Sequence, residues 1–127
     1  MDKYDIRVAS DSDVGRQRAG NEDSYRVVAP TDLPENADAI FVVADGMGGH
    51  AAGEVASQIT VDSVIATLTS AMSFDIGDSD LLSAIESAVL NANSEVIAEG
   101  VRSPEKRGMG TTCTLGAVSY THLTLPT

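Results

Sequence analysis

Two short segments carry residues able to do chemistry. Asn21-Glu22-Asp23 sets two adjacent carboxylates at the end of a polar loop and the start of a strand. Within a regular strand their side chains would point to opposite faces. At a strand entrance they can converge on one hard cation, directly and through water. The second segment, Asp45-Gly46-Met47-Gly48-Gly49-His50, follows an apolar run. A carboxylate at the end of a buried strand lies at the mouth of a sheet, and Gly46 lets the backbone bend sharply with its carbonyl towards a ligand. Arg16 and Arg18 lie just upstream of the acidic pair. An arginine beside metal-held acids can bind a phosphate group bidentately. The plain readings are a polar strand entrance, a turn and a surface ion pair. A turn alone, however, needs neither the aspartate nor three glycines.

Other patterns overlap these residues. Gly46 to Ala51 fits G-x-G-x-x-A, the dinucleotide fingerprint between a strand and a helix. Asp45 would put a negative charge beside the pyrophosphate, and a second helix follows where a parallel strand should stand, so this reading is weak. Asp11, Asp13 and Glu22 match three positions of a calcium-binding EF-hand loop, but Gly15 and Arg16 occupy positions needing an oxygen ligand and a glycine. A Walker-A loop is absent. His50 at a helix start is read as exposed, and Cys113, in a Thr-rich strand, as a small core residue.

The elements that must position these residues follow from hydrophobic spacing. Tyr4, Ile6 and Val8 alternate with charged residues, and Tyr25 to Ala29 gives a second strand candidate. Ala39 to Ala44 is continuously apolar, which predicts a strand buried on both faces. From Ala51 to Met72 the pattern is helical, with Glu54, Gln58 and Asp62 as a narrow polar stripe. Leu82, Ile85, Val89, Ala92 and Val96 step by three and four, predicting a second helix capped by Asp78 or Ser79 and ended by Gly100. Thr111 to Val118 reads as one strand. Strands in a run followed by paired helices argue an α+β fold with antiparallel pairing.

The 127 residues carry 8 basic and 19 acidic side chains, a net charge of −11. Residues 27–101 hold no Lys or Arg and 12 acids. Such a stretch cannot cradle a phosphate backbone, which disfavours nucleic acid. It can hold divalent cations, and the few arginines become candidates for an anionic ligand. Hydrophobic residues make up 43%, enough for one globular core. No apolar run approaches a membrane span, and no secretory signal is evident. With one cysteine, the expected compartment is a reducing cytoplasm.

Taken together, Arg18-x-x-Asn21-Glu22-Asp23, Phe41 to His50 followed by Gly53-Glu54-x-Ala56-Ser57, and Gly108-Met109-Gly110-Thr111-Thr112 resemble the bacterial PPM-type metal-dependent serine/threonine protein phosphatases. The resemblance runs from about residue 5 to 118 through three separate motifs. It implies an αββα sandwich of two antiparallel sheets flanked by helices. It implies two Mn²⁺ or Mg²⁺ ions between the sheets and a water that attacks the phosphorus of phosphoserine or phosphothreonine. By similarity, Asp45 bridges the metals, the Gly46 carbonyl binds one, Asp23 binds a metal directly or through its water, and Glu22 acts mostly through water. Arg18 holds the substrate phosphate. The implied partners are phosphorylated Ser/Thr proteins and a cognate kinase, with no nucleic acid and no membrane.

The sequence departs from the family in two places. Where some eukaryotic members have a histidine directly after Asp-Gly, this chain has Met47, so no general acid is carried over. After Val118 the family continues to further metal-binding aspartates, whereas residues 119–127 (SYTHLTLPT) contain no acid and read as a non-native tail. Residues 1–118 are then the N-terminal part of a phosphatase domain. By themselves they are expected to be inactive or to bind phosphoproteins without turnover, with unpaired sheet edges that promote aggregation.

Overall fold

The protein is described by a computed structural model over residues 23–28, 39–48, 51–72 and 77–118. In chain order these form strands β1 (Asp23–Val28) and β2 (Ala39–Met47), helices α1 (Ala52–Ala71) and α2 (Asp78–Arg102), a 3₁₀ turn (Pro104–Lys106), and strands β3 (Gly110–Thr111) and β4 (Thr114–Val118). The sheet is antiparallel throughout, with β2 flanked by β1 on one edge and by β3 and β4 on the other. The α+β class is therefore as expected. The strand read at Tyr4–Val8 lies outside the described residues. Among the described residues there is one sheet with both helices on one side, α1 against it and α2 against α1.

That layering corrects the reading of β2 as buried on both faces. Ile40, Val42 and Ala44 are fully buried, but Val43 between them is 52% exposed. Residues alternate across a strand, and α1 covers only the even-numbered face. The same geometry explains α1. Its Glu54, Gln58 and Asp62 form the exposed stripe, while Ala56, Ser57, Thr60, Val61, Val64 and Leu68 are buried between sheet and α2. Small residues on this helix let the layers approach closely.

The buried stripe of α2 is rotated from the one predicted. Ala88, Ala92 and Val96 are buried and Leu81, Ala84 and Ile85 pack partly against the core, while Leu82 is 68% exposed and Val89 is also exposed. Small alanines rather than the larger residues face α1, because the two helices pack closely. Gly77, not Asp78 or Ser79, is the N-cap, with no side-chain cap bond. The helix also continues past Gly100 to Arg102. There Glu99 accepts hydrogen bonds from Lys106 and Arg102, which hold its carboxyl below the ordinary glutamate range and secure the last turn. No helix among the described residues is long and apolar enough to cross a membrane.

Thr111–Val118 is not one strand. β3 and β4 are separated at Thr112–Cys113, although both keep one register along β2, from Met47↔Gly110 and Gly46↔Thr111 to Val43↔Thr114 and Ala39↔Val118. The interruption has a hydrogen-bonding cause at Asp45.

Candidate active site

The β1–β2 register places the two described candidate carboxylates. Asp23 is directly opposite Asp45, Tyr25 opposite Val43 and Val27 opposite Phe41. Opposed residues in an antiparallel pair share a face. Asp23 and Asp45 therefore stand side by side on the face turned away from α1. The alternate residues Ser24, Arg26 and Val28 take the α1 face. There the Ser24 and Ser57 hydroxyls are 2.9 Å apart, and the Ser57 hydroxyl donates to the Glu54 carbonyl at 3.1 Å. Arg26 Nη2 donates to Asp62 Oδ1 at 3.1 Å, and Gln58 Nε2 donates to the same oxygen at 2.9 Å. These bonds pin β1 to α1 and so fix the height of Asp23.

The backbone of Asp45 shows how near the carboxylates come. Its carbonyl accepts the Thr112 N–H at 2.9 Å, and its own N–H donates to Thr112 Oγ1 at 3.0 Å. Both groups point to the β3–β4 edge, so Asp23 and Asp45 form a non-hydrogen-bonded pair. In such pairs the Cα atoms are about 4.5 Å apart and side chains approach most closely. By the same alternation, the carbonyl of Gly46 turns to the β1 side of β2, the side of Asp23. Asp45 is exposed, while Asp23 is half-buried with Oδ1 shut off from solvent.

Two carboxylates directly opposed repel each other. A cation between them removes that cost, and hard oxygen donors of this kind suit Mn²⁺, Mg²⁺ or Ca²⁺. Asp23, Asp45 and the Gly46 carbonyl thus fit a divalent ion. Among the described residues no group of three or more His, Cys, Asp or Glu comes together. Arg18 and Glu22, like Arg16, Asn21, Gly49 and His50, lie outside the described residues. Met47 is 57% exposed and shares the face of Asp45 by alternation along β2.

The turn after β2 is fixed by Gly48, whose φ is +148°. A Cβ there would come within 3.0 Å of Met109 Cα and 3.2 Å of Ala52 Cβ. Only glycine lets the chain pass between Met109 and the first turn of α1. Cys113 packs against the core, and burial pushes its thiol pKa up, which favours the thiol over the nucleophilic thiolate.

Sequence reasoning missed three of these positions. Ser24 belongs to no motif, and Ser57 and Thr112 enter the sequence reading as motif residues of the family resemblance, with no contact assigned to either. The available signal was chemical: Ser and Thr hydroxyls compete with backbone partners for hydrogen bonds, and two successive threonines span the point where β3 ends.

The family profile for protein phosphatase 2C matches residues 16–125, running into the segment after Val118. The serine/threonine protein phosphatase PstP of Mycobacterium tuberculosis is 43% identical over 109 residues, covering 86% of this chain and 18% of PstP. The serine/threonine phosphatase stp of Listeria monocytogenes is 32% identical over 103 residues, covering 80% of this chain and 38% of stp. Among solved structures, the PstP catalytic domain in complex with two manganese ions superposes with a TM-score of 0.63 at 40% identity, covering 83% of this chain and 40% of that one. Stp1 from Staphylococcus aureus gives 0.67 at 30% identity, covering 84% and 39%. The chain therefore spans well under half the length of each of these relatives.

Proposed function

The chain belongs to the protein phosphatase 2C family, and on that premise we propose that it is the N-terminal part of a metal-dependent protein serine/threonine phosphatase domain. The observation that carries this reading is the facing pair Asp23–Asp45, two carboxylates held on one face of the sheet beside the Gly46 carbonyl. Support comes from the relatives, which are serine/threonine phosphatases, one of them with two manganese ions.

When bound, a pair of Mn²⁺ or Mg²⁺ ions supplies an activated water and neutralises phosphoryl charge. The residues of this chain do the rest of the work. Asp45, near the end of β2, would supply a carboxylate to hold the metal ions. Asp23 and Glu22 would add further negative charge, and the Gly46 carbonyl a neutral oxygen. Arg18 binds the phosphate of the substrate through its planar guanidinium. No residue is assigned as general acid. The substrates are phosphoserine and phosphothreonine proteins, a cognate kinase is the partner that makes them, and the compartment is the cytoplasm.

The test is hydrolysis of p-nitrophenyl phosphate and of a phosphothreonine peptide by the full-length protein that carries this sequence. Mn²⁺ should stimulate both, and Asp45→Asn should abolish the stimulation. A full-length protein without metal-stimulated hydrolysis would refute the reading. Phosphopeptide binding without turnover would mark a pseudophosphatase instead.

A further inference from the structure

We propose that Thr112 is a positioning residue for Asp45, acting through a strand rung rewired by two threonine hydroxyls. In a regular hydrogen-bonded antiparallel pair, each residue donates its N–H to the carbonyl of the other. Thr112 keeps its half of the exchange, donating to the Asp45 carbonyl at 2.9 Å. The return bond is different. The Asp45 N–H donates to Thr112 Oγ1 at 3.0 Å. The Thr112 carbonyl, which would have accepted it, instead accepts the Thr111 hydroxyl at 2.8 Å.

The substitution is confined to this rung. Gly46↔Thr111 and Met47↔Gly110 precede it and Val43↔Thr114 follows, all in one register. No residue is inserted, so this is not a bulge that re-aims the strand by adding length. The partner strand is interrupted at Thr112–Cys113, opposite the residue that bears the site carboxylate. A backbone rung would hold Asp45 equally well in the plane of the sheet. Routing the bond through a side-chain oxygen moves the acceptor away from the backbone of the partner strand. The orientation of the Ala44–Asp45 peptide, and with it the direction of the Asp45 Cα–Cβ bond, then depends on one hydroxyl. Removing a group that orients a metal ligand typically costs about 10–100-fold in metal affinity. Thr112 does not itself touch the reacting atoms in this account. It acts through Asp45.

The inference rests on the phosphatase reading, and its test separates the two. Mn²⁺ affinity is measured by calorimetric titration on the full-length protein, as wild type, Thr112→Val and Thr112→Ser, together with the melting temperature without metal. Valine keeps the shape and removes the oxygen, whereas serine keeps the oxygen. Thr112→Val should weaken Mn²⁺ binding by roughly 10-fold or more and raise the metal concentration needed for half-maximal activity. Thr112→Ser should restore both. Folded Thr112→Val with wild-type Mn²⁺ affinity overturns the proposal, as does a serine variant as weak as valine. If Thr112→Val fails to fold, Thr111→Val reads the same rung. There, loss of the Thr111 hydroxyl leaves the Asp45 N–H bond to Thr112 Oγ1 in place, so Mn²⁺ affinity should stay near wild type, and a loss as large as that expected for Thr112→Val overturns the proposal. Wild-type protein that binds no Mn²⁺ overturns the phosphatase reading and this inference together.

Discussion

At one end of the β1–β2 ladder Val28 faces Ile40; at the other Asp23 faces Asp45. The Val28–Ile40 pair lies on the α1 face, and Ile40 is fully buried in the core with Val42, Val61 and Leu68. Burying such a side chain contributes about 1.5–3 kcal/mol. The Asp23–Asp45 pair lies on the opposite face and sets like charges against each other, which costs up to about 1 kcal/mol. Around it the bonds change character too. Ser24 meets Ser57, Thr112 takes the Asp45 N–H, and Gly48 makes the following turn. One ladder thus has an end that stabilises the fold and an end whose local rules are broken, and a site is expected at the second.

Ile40→Ala should break the comparison at its stable end with the largest effect. A cavity beneath α1 costs about 2–5 kcal/mol, read as a lower urea midpoint with and without metal. Gly48→Ala should follow at about 1–3 kcal/mol, because the new Cβ meets Met109 backbone at 3.0 Å in a conformation that disfavours side chains. Its unfolding transition, compared with that of Gly77→Ala, checks this. A Cβ at Gly77 meets nothing within 4 Å, so an equal loss at both positions would remove the special role of Gly48.

The sequence made the apolar end legible because hydrophobic spacing reports burial. Ile40, Val42 and Ala44, and the Glu54–Gln58–Asp62 stripe, fall where their periods put them. Exposure of Val43 was not legible, since a run apolar at every position cannot tell which face lacks cover. The rotation of α2 was missed because large side chains dominate a periodicity reading, while close helix packing selected Ala88 and Ala92. Asp23, Asp45 and Gly46 were recognisable as a set by motif, but not by spacing. Their apposition depends on the β1–β2 register, which the chain between residues 28 and 39 does not disclose. The role of Thr112 escaped because its side chain contributes one hydrogen bond, formed across 67 positions of sequence separation.

The account turns on the Asp23–Asp45 pair as a cation site, and thermal denaturation of the full-length protein tests it most directly. Wild type and Asp45→Asn are melted with and without Mn²⁺. The metal should stabilise the wild type in proportion to its binding and leave Asp45→Asn unchanged. Equal Mn²⁺ stabilisation of both proteins would contradict it.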